Sequence, residues 1–205
     1  MNIITHIDDI DLSSIACKIE SVAIDTETMG LMPHRDRLCV VQMCFGDNDV
    51  HIVQTKNYVK ADNIRKILAN TSVQKIFHYA RFDIMMLYHY LGTMADNVYC
   101  TKIASKLCRT YSSSHGLNAL CQELVGCSLA KSETHTDWSR DVLTQKQLEY
   151  AAYDVFYLHR IRDKLNEMLE RNNRTEMAKK CFDFMPTRCM LDLMVGDHYD
   201  IFSHS

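Results

Sequence analysis

Two carboxylates with one residue between them follow an apolar run near the start of the chain. The run at 22–24 leads directly into Asp25-Thr26-Glu27. A continuous apolar run favours a strand buried on both faces, and in a strand positions i and i+2 point the same way. Asp25 and Glu27 are therefore expected to project side by side, where their like charges repel unless a divalent cation binds them. A solvated acidic turn after the strand is the alternative.

Two more carboxylates stand in unusual places. Asp83 is expected in the first turn of a helix, where the helix dipole alone favours an acidic residue. Asp154 lies well inside a later helix among apolar residues, and burying it is costly unless it is paired. Tyr150, four residues earlier, shares its helix face. A Tyr–Asp hydrogen bond at the edge of the core is therefore an alternative to metal binding.

These acids occur in an ordered pattern that resembles the three motifs of the ribonuclease D branch of the DnaQ-like 3′–5′ exonucleases. One branch of that superfamily has a histidine five residues before its last aspartate, and the residue here is Glu149. The other, called DEDDy, has a tyrosine four residues before it, as this chain does. The three segments are Ile24-Asp25-Thr26-Glu27, Phe77-His78-Tyr79-Ala80-Arg81-Phe82-Asp83 and Tyr150-Ala151-Ala152-Tyr153-Asp154.

The likeness extends over nearly the whole chain to the nanoRNase C family, whose members are short exoribonucleases that act on dinucleotides. The second motif departs from the commoner His-Asn-Ala form because Tyr79 replaces the asparagine, which offers an aromatic face to a base instead. The further similar segments are Glu27 to Leu31, Pro33 to Leu38, Cys100 to Leu107, Asp137-Trp138-Ser139 and Asp200 to Ser205.

The resemblance implies a metal-dependent 3′–5′ exoribonuclease that hydrolyses very short RNA, namely dinucleotides, to nucleoside 5′-monophosphates. It implies two divalent cations, Mg²⁺ or Mn²⁺, bound by Asp25, Glu27, Asp83 and Asp154, and oxygen ligands suit both ions. Tyr150 completes the implied catalytic set by orienting the attacking water, since a phenol with a pKa of about 10 is a poor base. The alternatives are ribonuclease D-like trimming of longer or structured RNA, and an inactive exonuclease-like module that binds RNA or a protein.

Several residues near these motifs are candidates for substrate binding. Leu31 is either a wedge between two bases or a core leucine in a turn, and His78 is either a substrate contact or a structural histidine. Lys102, Lys106 and Arg109 recur at i, i+4 and i+7, and this basic stripe faces phosphates, a neighbouring subunit or only solvent. The predicted substrate-binding residues are Thr26, Leu31, His78, Tyr79, Lys102 and Arg109.

Composition narrows the class of protein. The 205 residues are 47% hydrophobic and 24% charged, which is typical of a globular domain. The net charge of −3 argues against a long nucleic acid held by many phosphate contacts. Nine cysteines without a C-x-x-C pair indicate reduced thiols of a cytoplasmic protein rather than a zinc site. No signal peptide is visible, and no apolar stretch has the length of a membrane span, so no membrane association is expected.

The elements that must position the acids alternate between strands and helices. Three strands in succession, the second and third forming a hairpin at 38–53, are followed by short strands near 75–77 and 98–99 with helices between them. Thr144-x-x-Gln147 is a capping box that opens one long helix carrying Tyr150 and Asp154. The pattern predicts an α/β fold with a mixed β-sheet flanked by helices. The resemblance makes it the ribonuclease H-like fold of DnaQ-like exonucleases.

We expect one exonuclease domain over residues 1–205, with a helical C-terminal extension at about 174–205. The resemblance also implies a ring-like homo-oligomer, an octamer. The apolar segment from Phe184 to Phe202 either contributes to that interface or packs on its own domain.

Overall fold

The fold is given by a computed structural model that describes residues 1–15, 18–129, 136–196 and 201–204. Within these residues, six strands form one sheet and seven α-helices surround it. The strands are β1 (Asn2–Ile7), β2 (Ser21–Thr28), β3 (Leu38–Cys44), β4 (Asp49–Gln54), β5 (Gln74–Phe77) and β6 (Val98–Cys100). The helices are α1 (Asp62–Ala69), α2 (Ala80–Leu91), α3 (Thr101–Cys108), α4 (Leu117–Leu120), α5 (Gln145–Phe156), α6 (Leu158–Arg171) and α7 (Thr175–Val195).

The sheet is mixed, with the strand order β1-β4-β3-β2-β5-β6. Strand β3 is antiparallel to both of its neighbours, β2 and β4, whereas β1 pairs with β4, β5 with β2, and β6 with β5 in parallel. The predicted fold class, including the antiparallel part, is confirmed. Strand β5 pairs only with Ser21 to Ala23 of β2, so the acidic end of β2 beyond them pairs with β3 alone.

Strand β2 carries the acidic pair out of the core. Val22, Ala23 and Ile24 are fully buried, and Asp25 and Glu27 follow while the chain is still in the strand. The pairing of β2 with β3 shifts register between Glu27 and Thr28. The prediction that both acids lie on a strand is therefore correct, and the alternative of a solvated acidic turn is wrong.

Helix α5 brings the third motif against the sheet. It contacts β2, β3 and β4, and its apolar residues Ala151, Ala152 and Val155 are completely buried. The single long helix predicted from the sequence is wrong, because the chain leaves the α5 geometry at Tyr157 and starts α6 at Leu158. A π-helical turn, Cys121–Val125, continues α4.

Helix α7 covers α2 and β6. Phe182, Met185 and Cys189 are buried in this contact, and the Asp192 carboxylate pairs with the Arg81 guanidinium at 2.8 Å. Of the predicted C-terminal extension, 197–200 and 205 lie outside the described residues. Across the described chain, we find no helix both long and apolar enough to cross a membrane.

The capping box at the start of α5 provides a test of how this helix is stabilised. The Thr144 hydroxyl accepts from the Gln147 N–H at 3.3 Å, and the Gln147 side chain accepts from the Thr144 N–H at 2.9 Å. We predict that Thr144→Ala lowers the free energy of unfolding by about 1 kcal/mol, because the first turn loses its cap. Urea denaturation measures this change. Thr144→Ser keeps the hydroxyl and is the control, and equal midpoints for Ala and Ser would contradict the prediction.

Candidate active site

Three carboxylates from two elements converge at the end of β2, a central strand of the sheet. Asp25 and Glu27 extend from β2, and Asp154 extends from α5. One ligand oxygen from each lies within 4.8 Å of the others. All three residues are half-buried. This grouping brings together residues that are 129 positions apart in the chain (Asp25 and Asp154) and makes one oxygen-rich site of two separate motifs.

Asp83 lies beside this group and is held by the residue between the two strand acids. It is in the first turn of α2 and is only 3% exposed. Its Oδ1 accepts hydrogen bonds from the Thr26 N–H at 3.1 Å and from the Thr26 hydroxyl at 2.7 Å. The two donors of Thr26 therefore hold an acid in place, and the contact of Thr26 with substrate stays a prediction. That Asp83 binds a cation stays a prediction.

The four acids perturb each other strongly. Burial raises the pKa of Asp25 well above its usual value, and the neighbouring charges of Asp83, Asp154 and Glu27 raise it further. Burial, followed by the charges of Asp154 and Asp83, raises the pKa of Glu27 to about 9. Burial likewise raises the pKa of Asp83 and of Asp154 to about 7. Ionised acids at this site therefore need a positive charge, and an all-oxygen donor set suits Mg²⁺ or Mn²⁺.

Tyr150 is hydrogen-bonded to Asp154, one turn along α5. This bond lowers the pKa of Asp154, in opposition to burial. Burial raises the pKa of the Tyr150 phenol, and so do the charges of Asp154 and Glu27, so the phenol stays protonated. The expected Tyr–Asp hydrogen bond is present, and Asp154 also belongs to the carboxylate group.

Trp138 is a site residue that sequence reasoning did not select. It is 2% exposed, and its ring centroid lies 6.1 Å from that of Tyr150. The indole ring of Trp138 therefore packs near the ring of Tyr150. One signal in the sequence points to Trp138, namely its place in the Asp137-Trp138-Ser139 segment. Trp138 lies in an irregular stretch, so no helix or strand periodicity pointed to it.

A cleft of about 620 Å³ opens beside the acids. Leu31 is 73% exposed at its rim, so the alternative of a core leucine is wrong. Met29 is also exposed, and Phe82 is half-buried. The lining residues are Thr26, Glu27, Thr28, Met29, Gly30, Leu31, Phe82, Thr136 and Trp138.

A second group of predicted contacts lies at the start of α2. Tyr79 precedes the helix in a left-handed conformation and is 48% exposed, with the Lys102 ammonium 4.4 Å from its ring centroid. His78 Nδ1 lies 2.9 Å from the Thr101 hydroxyl. Burial and the Lys102 charge lower the pKa of His78 to about 4, so it is neutral near pH 7. His78 therefore makes the expected structural contact through its Nδ1 atom. The contact of His78 with substrate stays a prediction.

Arg109 does not belong to a basic surface stripe. It is 1% exposed, and its guanidinium donates to Glu123 at 3.1 Å, to the Ser105 hydroxyl at 2.9 Å and to the Ser114 carbonyl at 2.8 Å. The i, i+4, i+7 spacing assumed a continuous helix, whereas α3 ends at Cys108. The predictions that Arg109 binds substrate or faces solvent are corrected, because its donors are used within the fold.

Sequence comparison places the chain among exonucleases. Residues 4–170 match the family described as 3′–5′ exonuclease. Ribonuclease D of Bartonella henselae is 32% identical over 176 residues, which is 85% of this chain and 43% of that protein. Ribonuclease D of Nitrobacter hamburgensis is 30% identical over 190 residues, covering 87% and 50%. The chain thus spans about half the length of the curated relatives it matches.

Solved structures extend the similarity to the whole chain. Brucella melitensis NrnC is 50% identical with a TM-score of 0.95, and the alignment covers 100% of both chains. Structures of that protein with bound Mg²⁺ and with pGG each give a TM-score of 0.94. Escherichia coli RNase D is 26% identical with a TM-score of 0.73, covering 83% of this chain and 45% of that one. Since the family pattern covers residues 4–170 and the Brucella protein aligns from end to end, this chain belongs to the 3′–5′ exonuclease family.

Proposed function

We propose that the protein is a metal-dependent 3′–5′ exoribonuclease that hydrolyses very short RNA, namely dinucleotides, to nucleoside 5′-monophosphates. The observation that carries this proposal is the group of Asp25, Glu27 and Asp154, whose ligand oxygens lie within 4.8 Å of one another beside the cleft. Membership of the exonuclease family supports the chemistry. The full-length likeness to Brucella NrnC, one structure of which is bound to pGG, supports the short substrate.

Two divalent cations, Mg²⁺ or Mn²⁺, are the proposed cofactors. Asp25, Glu27 and Asp154 supply carboxylate oxygens, and Asp83 adds a fourth acid next to them. The raised pKa values of all four support this assignment, since a bound cation relieves the repulsion between ionised acids. Such ions, when bound, acidify the attacking water and stabilise the charge on the leaving oxygen. The Mg²⁺-bound structure of Brucella NrnC supports the same class of ion.

Tyr150 is the proposed positioning group for the attacking water. Its raised pKa keeps the phenol protonated, so it does not act as a base on its own. The phenol is fixed by Asp154 and by the Trp138 ring, which leaves its oxygen able to accept a hydrogen bond from water. In the proposed reaction the water oxygen bonds to phosphorus, the bond from phosphorus to the 3′-oxygen breaks, and that oxygen takes a proton.

The remaining substrate contacts are assigned by their place around the cleft. Leu31 is proposed to insert between the two bases, because it is an exposed apolar side chain at the rim. Tyr79 and Lys102 form an exposed aromatic and cationic pair that suits a base face or a phosphate. His78 lies next to this pair and is proposed to contact the substrate backbone.

Two alternatives remain from the sequence. Trimming of longer RNA is favoured by the ribonuclease D relatives at 30–32% identity, and it is tested below. An inactive binding module is disfavoured, because none of the four acids is lost and three of them converge.

We also propose a homo-oligomer, an octamer, that works in the cytoplasm. Exposed apolar residues on α7 and after it support an interface between copies. The eight described cysteines are all free, which supports a reducing compartment. The exposed apolar residues are Met177, Phe184, Met190, Met194, Ile201 and Phe202.

Asp154→Asn is expected to lower activity and, in the absence of metal, to raise thermal stability. Hydrolysis should fall by about 10³-fold or more, since loss of a carboxylate weakens cation binding and removes several kcal/mol of transition-state stabilisation. In metal-free buffer at pH 8 the Tm should rise by a few degrees (about 2–4 °C), because a source of repulsion between the buried acids is gone. Calorimetry and a dinucleotide assay measure both. Asp183→Asn, an exposed change on α7, is the control, and wild-type activity in Asp154→Asn would show that the metal site is wrongly assigned.

Tyr150→Phe is expected to lower kcat by roughly 10²-fold with little change in Mg²⁺ affinity, because it removes the hydroxyl but no carboxylate. Turnover and isothermal titration with Mg²⁺ give the two quantities. Tyr153→Phe, which removes the hydroxyl of a neighbouring α5 tyrosine, is the matched control. A kcat for Tyr150→Phe equal to that of wild type would exclude the proposed role of the phenol.

The length of the substrate is tested by the product pattern. End-labelled dinucleotide and heptanucleotide RNAs are incubated separately with enzyme and Mg²⁺, and products are resolved by length over time. We expect rapid loss of the dinucleotide and slow loss of the heptanucleotide, since the acidic protein offers few phosphate contacts to a longer chain. Rapid stepwise shortening of the heptanucleotide through every intermediate would instead support ribonuclease D-like trimming.

A further inference from the structure

The segment between β2 and β3 places one apolar side chain at the rim of the cleft. This segment, residues 29–37, is called the rim loop below. Leu31 at its tip is 73% exposed. So exposed a side chain has little packing to fix its position. The backbone on either side of Leu31 must therefore determine where the side chain stands.

Asp36 occupies the centre of the rim loop. It is 7% exposed, and its Oδ2 accepts a hydrogen bond from the Met32 N–H at 3.0 Å. In the opposite direction, the Asp36 N–H donates to the Met32 carbonyl at 2.7 Å. This reciprocal pair closes the turn directly after Leu31.

The same carboxylate also contacts the residue before Leu31. A Cβ placed on Gly30 would lie 2.3 Å from Asp36 Oδ2, closer than any real contact. Asp36 therefore packs against the Gly30 backbone, and only glycine leaves room for it. Both neighbours of Leu31 in the chain, Gly30 and Met32, are thus in contact with one buried carboxylate.

The ends of the rim loop are anchored independently of Asp36. The Met29 N–H donates to the Arg37 carbonyl at 3.1 Å, and the Tyr90 hydroxyl donates to the Pro33 carbonyl at 3.0 Å. Loss of Asp36 is therefore expected to loosen the tip while the loop stays attached to the fold.

Arg35 is the other partner of Asp36 and contributes differently. Its guanidinium donates to both carboxylate oxygens, at 2.7 and 2.8 Å, and with the Met32 N–H it lowers the pKa of Asp36 to about 2. The Arg35 side chain is 74% exposed, however, and exposed ion pairs contribute little to stability. Arg35 therefore provides a control that removes a partner of Asp36 without removing the contacts to Gly30 and Met32.

We infer that Asp36 is a positioning residue that sets the place of Leu31 over the cleft, and thereby the preference for a substrate with two bases. This inference rests on the proposed function, in which Leu31 inserts between the bases. Asp36 touches no part of the substrate and acts only through the backbone around Leu31.

The test compares two substrates in the full-length protein. One is a 5′-phosphorylated dinucleotide, and the other is the same molecule lacking the base of its 5′ nucleoside. Asp36→Ala removes the acceptor of the Met32 N–H and the carboxylate that packs against Gly30. We expect kcat/KM for the dinucleotide to fall by about tenfold, mainly through KM, while kcat/KM for the one-base analogue stays within about twofold of wild type.

A double-mutant cycle asks whether Asp36 acts through Leu31. Leu31→Ala should show the same selective loss, and adding Asp36→Ala to it should have no further effect. Arg35→Gln is the matched control and should behave as wild type. Gly30→Ala is the second variant, because its methyl group displaces the carboxylate and should reproduce the selective loss even if Asp36→Ala is unstable.

Either of two results overturns the inference. Equal losses on both substrates would mean that Asp36 only maintains the fold, and fully additive effects with Leu31→Ala would mean that it acts elsewhere. Failure of the proposed function is distinct, because the wild-type protein would then not hydrolyse the dinucleotide at all.

Discussion

Repulsion between carboxylates at the end of β2 is the constraint on which the rest of the site depends. Asp25 and Glu27 share one side of a strand, and Asp154 brings a third charge within 4.8 Å. Burial raises the pKa of all three carboxyl groups, and neighbouring acids raise those of Asp25 and Glu27 further, so the fold alone does not compensate these charges. A cation that binds here therefore relieves a repulsion that folding creates. The buried apolar run before the acids fixes the strand that carries them, so they do not move apart into solvent.

The fold supports this arrangement through the residues around the acids. Thr26 points away from its two acidic neighbours, and its two donors fix Asp83 from α2. Tyr150 donates to Asp154 within α5, and Trp138 packs on that ring. Strand β2 pairs with β5 before the acids and with β3 along them, and these ladders hold the strand that carries these contacts. Each acid thus has its own support, and the supports come from separate elements.

The residues proposed to contact substrate lie around these acids and include exposed side chains. The rim loop places Leu31 on one side of the cleft, and Trp138 with Thr136 lies on its wall. Tyr79 and Lys102 stand at the start of α2 and α3. The protein therefore combines a carboxylate group held by several elements with an open cleft beside it.

The sequence by itself determined the features that depend on local spacing. The period of two in β2, the capping box at Thr144 and the apolar runs of the strands were sufficient to predict the sheet and the acidic pair. Only the tertiary structure decided which side chains meet. Thr26 contacts Asp83 across 57 residues, Arg109 turns inward where α3 ends, and Asp36 closes the turn beside the exposed Leu31. Such contacts depend on how separate elements pack and on where a helix stops, and neither follows from the periodicity of one segment.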